Sequence, residues 1–377
     1  MNQIGILTFC RYYNYGTALQ AYALQHFVSQ NFDCEAELVD YLERNEYVGK
    51  KLLLTRIKRF PTYIKNFKKI YIQRKNANNQ AVKNRAFDEF FNTSMVLSKE
   101  KADTIEGLTD ICGKYDAVMV GSDQTWNPFV ASKGQFLLDY LDGDKIAKLA
   151  YAPSIGIGKI PEEYRERYKK ALFQFKALSC RERGGAAFLS DLIGKKVEFV
   201  LDPTLLLHPE DWEEIATPVD IKEPYHLTYF LGYNKAHRKA AERIAREKNL
   251  KIVALPVSYL EIQNKNIDKQ YVGPGGFISL IKNASFVCTD SFHGTMFSIN
   301  FERDFASFPK RNDADVNSDN NRLYDALSVL GLEDRLWVGG SGNCSSVDYS
   351  EVSERLSKLR ESSECYLNSA MALLEGK

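Results

Sequence analysis

Residues 4–41 decide the fold class, and they read IGILTFCRYYNYGTALQAYALQHFVSQNFDCEAELVDY. The apolar run at 4–8 predicts a buried strand, and apolar residues then recur at helical spacing at positions 18, 19, 22, 23 and 27. A second strand is predicted at 38–41. A strand, a helix and another strand in this order predict a right-handed crossover and a parallel sheet.

The same alternation continues along the chain. Further strands are predicted at 116–120, 148–151, 177–180, 198–201, 225–231, 251–255, 285–289 and 305–308, with helices over 161–176, 235–248, 276–283 and 351–374. Polar and glycine residues directly follow many of these strands. In open parallel sheets, ligands bind at the edge formed by the carboxyl ends of the strands, which is where these residues lie. The predicted fold class is therefore α/β, with two doubly wound, Rossmann-like domains that face a cleft.

The domain boundaries are predicted from composition. The chain turns polar and proline-rich around 206–224, so we place the N-terminal domain at 1–207 and the C-terminal domain at 208–350. A last helix within 351–377 is expected to pack back on the N-terminal domain. Residues 45–100 are predicted to be a helical insertion, because 48–86 hold twelve Lys or Arg residues and no Asp or Glu.

The overall composition excludes several function classes. In 377 residues, 50 Lys and Arg balance 49 Asp and Glu, and this net charge of +1 argues against a dedicated nucleic-acid-binding protein. The seven cysteines include no CxxC pair, so neither a zinc site nor a disulfide scaffold is indicated. The first residues lack the pattern of a secretory signal, and no apolar run reaches membrane-spanning length. A cytoplasmic location is expected.

His293 is the histidine best placed for chemistry. It follows a short buried strand and lies beside Ser291 and Gly294 at the predicted start of a helix. Backbone N–H groups and the helix dipole favour an anion at such a position, where a histidine can donate a proton. The alternative is a histidine that only caps its own helix.

Two loops have the composition of a sugar site. Asp123, Gln124 and Trp126 stand in GSDQTWN at 121–127, directly after a strand, and the sequence NYGT at 14–17 opens the first helix. Polar side chains can hydrogen-bond to sugar hydroxyls, and an aromatic ring can cover a sugar face. The alternatives are a helix cap with Trp126 in the core, and a plain tight turn at 14–17.

Cations for an anionic ligand are expected at Arg181, which follows a strand in LSCRE at 178–182. The guanidinium group matches carboxylate and phosphate geometry. Lys310 and Arg322 are further candidates, whereas Arg183 is expected at the surface. An ion pair between Arg181 and Glu182 is the structural alternative.

Taken together, these residues resemble the polysaccharide pyruvyltransferase family. The resemblance runs in order from residue 5 to about 335, and it rests on GILTFCRYYNYGTALQAYAL at 5–24, VGSDQTWN at 120–127, APSIG at 152–156, LSCRE at 178–182, FVLDPTLLL at 199–207, GPGGFISLIKNASFVCTDSFHGTMFSINFERDF at 273–305 and NRLYDALSVLGLEDR at 321–335. It implies a two-domain fold of the GT-B type. It also implies transfer of pyruvate from phosphoenolpyruvate to two hydroxyls of a sugar, which forms a cyclic ketal, in the synthesis of surface polysaccharides.

The resemblance further implies roles for particular residues. His293 corresponds to the family's histidine, as general acid or as the group that orients the donor phosphate, and Arg181 corresponds to a donor-binding arginine. On the donor side we also place Ser291, Phe292, Gly294, Lys310 and Arg322. On the acceptor side we place Asn14, Tyr15, Gly16, Asp123, Gln124 and Trp126. No metal or other cofactor is required.

One position departs from the family pattern. Some members carry an arginine two residues before the histidine, where this chain has Ser291. Lys310 or Arg322 is expected to supply the missing charge. The acceptor is expected to be a sugar or a lipid-linked glycan. The basic segment 48–86 is expected to be a solvated face. The alternatives are a patch that contacts anionic membrane near a lipid-linked acceptor and an RNA-binding surface, which the neutral overall charge disfavours.

Two other functions remain open on the sequence. A glycosyltransferase with a nucleotide-sugar donor would need a base pocket in the second domain, and a catalytically idle glycan-binding protein would not need His293 and Arg181 together. The identity of the bound donor separates the first alternative from pyruvyl transfer.

Overall fold

A computed structural model describes residues 2–42, 74, 76–131, 133–313, 315 and 318–374. The basic segment 48–86 lies outside the described residues up to position 73 and at 75, and so does the first part of the predicted insertion. Among the described residues, no helix combines the length and the apolar composition needed to cross a membrane.

The first sheet is parallel, with the strand order β3-β2-β1-β4-β5. Its strands are β1 (Asn2–Leu7), β2 (Cys34–Tyr41), β3 (Leu97–Ala102), β4 (Ala117–Val120) and β5 (Ala147–Ala150). The connecting helices are α1 (Tyr15–Asn31), α2 (Ala77–Thr93) and α3 (Ile105–Cys112). In β1, Ile4 pairs with Ala36 on one side and with Ala117 on the other, so β1 is the central strand.

A short parallel pair of strands extends this half of the molecule. After α4 (Glu162–Phe173) come β6 (Ser179–Cys180), α5 (Arg183–Ile193), β7 (Glu198–Phe199), α6 (Pro203–Leu206) and α7 (Pro209–Glu213). A parallel bridge between Leu149 and Ala177 attaches this pair to β5. Arg181 and Asp202 therefore follow strands at the same edge as the residues that follow β1 and β4.

The second sheet repeats the topology, with the order β10-β9-β8-β11-β12 and parallel pairing throughout. Its elements are β8 (Tyr225–Tyr229), α8 (Lys235–Glu247), β9 (Lys251–Ala254), α9 (Tyr259–Gln263), β10 (Asp268–Lys269), α10 (Pro274–Lys282), β11 (Phe286–Thr289), α11 (Phe292–Asn300) and β12 (Phe305–Ser307). The α-helices α12 (Asn321–Leu330) and α13 (Tyr349–Ala372) follow, with a short 3-10 helix at Glu333–Arg335 between them.

These two sheets confirm the predicted α/β class with two Rossmann-like units. Their carboxyl edges meet, because the ring of Tyr15, after β1, stacks on Phe277 of α10 with centroids 4.6 Å apart. This is the arrangement of the GT-B type. Part of the predicted insertion 45–100 is wrong, because residues 97–100 belong to the edge strand β3. Their sequence, Leu-Ser-Lys-Glu, is polar and charged, as is typical of an exposed edge strand. It therefore lacks the apolar pattern from which a strand is predicted.

The two units share one apolar core, which includes Leu24 of α1, Leu205 of α6 and Phe277 of α10. The last helix, α13, joins both units as well. The hydroxyl of Tyr366 donates to the Ala150 carbonyl at 2.6 Å, and Arg360 donates to Asn300 Oδ1 at 2.7 Å. The predicted boundary at 207/208 directly follows α6, and the division of the chain there stays a prediction.

Candidate active site

The site is organised around Asp202, which follows β7 at the start of α6. One carboxylate oxygen caps α6 by accepting hydrogen bonds from the backbone N–H and the hydroxyl of Thr204, at 3.0 and 2.7 Å. The other accepts from Arg181 Nη1 at 2.7 Å and from the Ser122 hydroxyl at 2.9 Å. His293 Nε2 lies 3.5 Å from the same oxygen. Asp202 thus connects both sheets.

The electrostatics keep Asp202 ionised. Burial by itself would raise the pKa of this carboxyl, but His293 and Arg181 lower its pKa well below the usual range. A buried carboxylate is stable only when it is paired in this way. The ionised carboxylate then fixes the orientation of both the guanidinium and the imidazole.

Arg181 is buried between two carboxylates and an aromatic ring. Besides Asp202, its Nε lies 3.6 Å from Glu182 Oε1, and its guanidinium lies 4.3 Å from the ring centre of Phe292. Only 5% of the residue is exposed. Nε and Nη2 have no hydrogen-bond partner among the described residues. Since buried donors are normally paired, these N–H groups leave hydrogen-bonding capacity of Arg181 unused among the described residues.

The imidazole of His293 lies against the backbone of Gly16 at the start of α1. A Cβ atom at position 16 would lie 2.1 Å from His293 Nδ1 and 2.7 Å from His293 Cβ. Real Cβ atoms do not approach other atoms so closely, so position 16 must be glycine for the ring to stay where it is. His293 is itself held in the first turn of α11, where the Ser291 hydroxyl accepts from the Gly294 N–H at 3.2 Å.

We expect Gly16→Ala to lower the turnover number at least about tenfold, because the imidazole must move away from Asp202 and misplaced catalytic groups lose rate steeply. The measurement is the steady-state turnover of each variant relative to wild type, together with the melting temperature. Gly184→Ala is the matched control, because a Cβ there has no atom within 4 Å. Equal turnover of the two variants would contradict the contact.

Asp123 adds a third carboxylate, on the side of the first sheet. Its φ of 67° is uncommon for a residue other than glycine. The Thr17 hydroxyl donates to Oδ2 at 3.0 Å. Burial would raise the pKa of Asp123, but His293, Arg181 and Arg322 lower it below the ordinary value. The strained backbone therefore directs an ionised carboxylate toward the cations of the site.

A second group of cations surrounds Asp319, at the end of the loop before α12. Arg322 Nη2 donates to its carboxylate at 2.7 Å, Lys310 Nζ lies 3.6 Å away, and Gln124 Nε2 donates at 3.3 Å. The guanidinium of Arg322 is also 5.6 Å from the ring centre of Phe292. The structure thus brings Lys310 and Arg322 to the same cleft as Asp123 and Gln124.

Two of the residues assigned to the acceptor do not line the cleft. Trp126 is completely buried, and its indole N–H donates to the Phe136 carbonyl at 3.2 Å. Tyr15 is 1% exposed, and its hydroxyl donates to the Val272 carbonyl at 2.9 Å. Apolar packing within and between the sheets buries both rings, so the prediction that they face the acceptor from the N-terminal domain is wrong for these two residues.

The remaining assigned residues have identifiable local roles. Asn14 caps α1 by accepting from the Thr17 N–H at 3.2 Å. Gly294 packs against Thr289, where a Cβ would lie 2.6 Å from the hydroxyl oxygen. Sequence reasoning missed Asp202, Glu182 and Asp319 as members of the site. The position of Asp202 after a strand and before Pro203 was the available signal, since this is a helix cap at the ligand edge of a sheet.

The fold and the site together define a class of protein: a two-unit α/β protein of the GT-B type with a polar site between the sheets. A family model described as polysaccharide pyruvyl transferase matches residues 14–309. The chain therefore belongs to the polysaccharide pyruvyl transferase family, as the sequence resemblance predicted.

The other comparisons add structural similarity only. No curated protein matches the chain. Similar solved structures include UDP-GlcNAc 2-epimerase from Neisseria meningitidis bound to UDP-GlcNAc, with 12% identity, a TM-score of 0.48, and coverage of 98% of this chain and 94% of that one. UDP-N-acetylglucosamine 2-epimerase from Rickettsia bellii is also similar, with 10% identity and a TM-score of 0.48. That match covers 100% of this chain and 97% of the epimerase chain.

Proposed function

We propose that this protein transfers the pyruvyl group of phosphoenolpyruvate to two hydroxyls of a sugar during polysaccharide synthesis, with release of phosphate. The methylene carbon of the donor takes up a proton, and a sugar hydroxyl attacks the resulting oxocarbenium-like carbon. Phosphate then leaves, and a second hydroxyl closes the cyclic ketal. The two hydroxyl protons balance the one gained by the methylene carbon and the one carried off on phosphate.

The observation that carries the proposal is that Arg181 and His293 are both buried beside the same carboxylate oxygen of Asp202. The donor carries both a carboxylate and a phosphate, which the fork of a guanidinium recognises. Arg181 has two nitrogen atoms, Nε and Nη2, without hydrogen-bond partners among the described residues. These two N–H-bearing nitrogens are the donor-binding groups in this proposal.

His293 is the proposed general acid. Its Nε2 lies 3.5 Å from Asp202 and has no hydrogen bond among the described residues, so a proton on it can be passed to a donor bound at Arg181. The start of α11, where His293 lies, adds the positive end of a helix dipole for the leaving phosphate. The Ser291 hydroxyl is already occupied as the cap of this helix.

The cation that replaces the arginine absent at Ser291 is proposed to be Arg322, with Lys310 beside it. Arg322 is buried and shares the Phe292 ring with Arg181. Asp123, Gln124 and the Asn14 loop are proposed to face the sugar, whose hydroxyls the carboxylate of Asp123 can orient and deprotonate. A cytoplasmic location and membrane contact through 48–86 stay predictions.

The experiment is calorimetric titration of phosphoenolpyruvate and of a panel of nucleotide sugars into wild type, Arg181→Lys and Arg183→Lys. We expect phosphoenolpyruvate to bind wild type and the exposed control, Arg183→Lys, equally, and Arg181→Lys about tenfold more weakly or worse, because the fork is lost. Each titration is repeated with a sugar acceptor present, in case the donor binds second. Binding of a nucleotide sugar without phosphoenolpyruvate binding would replace the proposal with glycosyl transfer.

A further inference from the structure

The carboxylate of Asp319 lies among three cations in the cleft. Its Oδ2 accepts hydrogen bonds from Arg322 Nη2 at 2.7 Å and from Gln124 Nε2 at 3.3 Å, and Lys310 Nζ lies 3.6 Å from the same oxygen. Arg311 Nε lies 3.8 Å from the other oxygen, Oδ1. Burial would raise the pKa of Asp319, but Arg322, Lys310 and Arg311 lower it below the ordinary value. An ionised side chain of the protein itself therefore lies where cations converge as they do around a phosphate group.

The backbone around these cations is held without the Asp319 carboxylate. The side chain of Asn320 accepts from the Lys310 N–H at 3.0 Å and donates to the Arg311 carbonyl at 2.8 Å. Arg322 Nε donates to the backbone carbonyl of Asp319 at 3.1 Å. These contacts do not use the side chain of Asp319, so we expect the three cations to stay clustered when its charge is removed.

Asp319 is bound less completely than the two aspartates near His293. Both carboxylate oxygens of Asp202 accept hydrogen bonds, and so do both oxygens of Asp123. In Asp319, which is only 7% exposed, Oδ1 has no hydrogen-bond partner among the described residues. A buried carboxylate oxygen without a hydrogen bond is costly, so Asp319 is the carboxylate that a ligand displaces most easily.

The charge of the cleft favours such an exchange. Among the described residues, and without counting His293, ion pairs join four cations to four carboxylates there, namely Arg181, Lys310, Arg311 and Arg322 to Asp123, Glu182, Asp202 and Asp319. A donor with a carboxylate and a phosphate adds further negative charge to this balanced set. Unpaired charges are costly in a buried site, so the donor gains cations most readily when one carboxylate gives them up.

We infer that the phosphate of the donor binds at Arg322 and Lys310 by displacing the carboxylate of Asp319, which competes with the phosphate for these cations. The inference rests on the proposed function, and it adds a residue that sets the affinity for the donor. Arg181 and Arg322 lie 4.3 and 5.6 Å from the ring centre of Phe292. One donor molecule can therefore place its carboxylate at Arg181 and its phosphate at Arg322. The return of Asp319 to the cations then favours the release of phosphate.

The test measures binding of phosphoenolpyruvate and of inorganic phosphate to the full chain by calorimetric titration. Wild type is compared with Asp319→Asn, which removes the charge at nearly constant size, and with the control Asp315→Asn. Asp315 carries the same charge on the same loop and pairs with Arg311 at 3.6 Å. We expect both dissociation constants to fall at least about fivefold in Asp319→Asn and to stay within about twofold of wild type in the control, because only Asp319 competes for Arg322.

A second set of variants separates competition from a general change of charge. Arg322→Gln removes the contested guanidinium, and Asp319→Asn/Arg322→Gln removes both partners. We expect the gain in phosphate affinity from Asp319→Asn to shrink to less than about twofold on the Arg322→Gln background, because directly interacting residues are not additive. Asp319→Ser repeats the comparison with a different uncharged side chain.

Equal or weaker phosphate binding by Asp319→Asn would overturn the inference, since Asp319 would then organise the cations rather than compete for them. Turnover separates this failure from failure of the proposed function. If phosphoenolpyruvate is consumed and Asp319→Asn binds it no more tightly than wild type, the proposed function stands and the competition falls. If Asp319→Asn binds phosphate more tightly and no sugar acceptor consumes phosphoenolpyruvate, the competition stands and the proposed function falls.

Discussion

Replacing His293 with alanine is expected to slow phosphate release from phosphoenolpyruvate at least about a hundredfold, because general acid catalysis contributes that much or more. The described groups nearest to the ring do not replace it. Its Nε2 points to Asp202, and the neighbouring Ser291 hydroxyl is occupied by the Gly294 N–H. The measurement is the turnover number at saturating donor and acceptor.

The control for this variant is His208→Ala, which removes an exposed histidine outside the cleft. We expect His208→Ala to turn over at the wild-type rate. The circular dichroism spectrum of His293→Ala should stay close to wild type, since α11 keeps its Ser291 cap. Its melting temperature should fall, because the buried carboxylate of Asp202 loses one of its two cationic neighbours. Phosphate release at the wild-type rate from His293→Ala would show that another group donates the proton.

Replacing Arg181 with methionine is expected to lower the free energy of unfolding by about 3–5 kcal/mol at neutral pH, the usual cost of removing one partner of a buried ion pair. Asp202 is 2% exposed, so without the guanidinium its buried charge loses a hydrogen-bonded cation at 2.7 Å. Arg183→Met is the matched control, since Arg183 is exposed only two residues away. Urea unfolding of the three proteins at one pH provides the comparison.

The stability difference between wild type and Arg181→Met should depend on pH. His293 and Arg181 offset the effect of burial and lower the pKa of folded Asp202 well below its usual range. This interaction stabilises the folded chain fully above about pH 4, where the unfolded carboxyl is ionised, and it is lost as pH falls toward the folded pKa. The two unfolding free energies should therefore converge below about pH 4. A constant gap would assign the destabilisation to packing alone.

Much of the fold could be predicted from the sequence because its strands and helices have strong local signals. The runs at 4–8 and 116–120 are apolar because both faces of a central parallel strand are buried, and the structure has β1 and β4 there. The strand β3 was not predicted. Its sequence, LSKEKA, is charged because edge strands are exposed, so it lacks the apolar pattern.

The candidate site could be predicted only in part. Position after a strand was sufficient to find His293, Arg181 and Asp123, because the ligand edge of a parallel sheet is a topological property. Asp202 also directly follows a strand. An aspartate before Pro203 can, however, equally be interpreted as a simple helix cap, so the sequence does not single it out as a site residue. Its role depends on two partners, Arg181 and His293, that are far away in the chain.

The sequence by itself determined the family and the parallel α/β class, and it indicated candidate site residues such as His293 and Arg181, because motif order, apolar periodicity and residue chemistry are local. The tertiary structure decided which side chains meet. It buried Tyr15 and Trp126, placed Gly16 against the imidazole of His293, and joined the two sheets through Asp202. These facts depend on how two sheets pack across a cleft, and packing brings together residues whose spacing along the chain carries no sign of their contact.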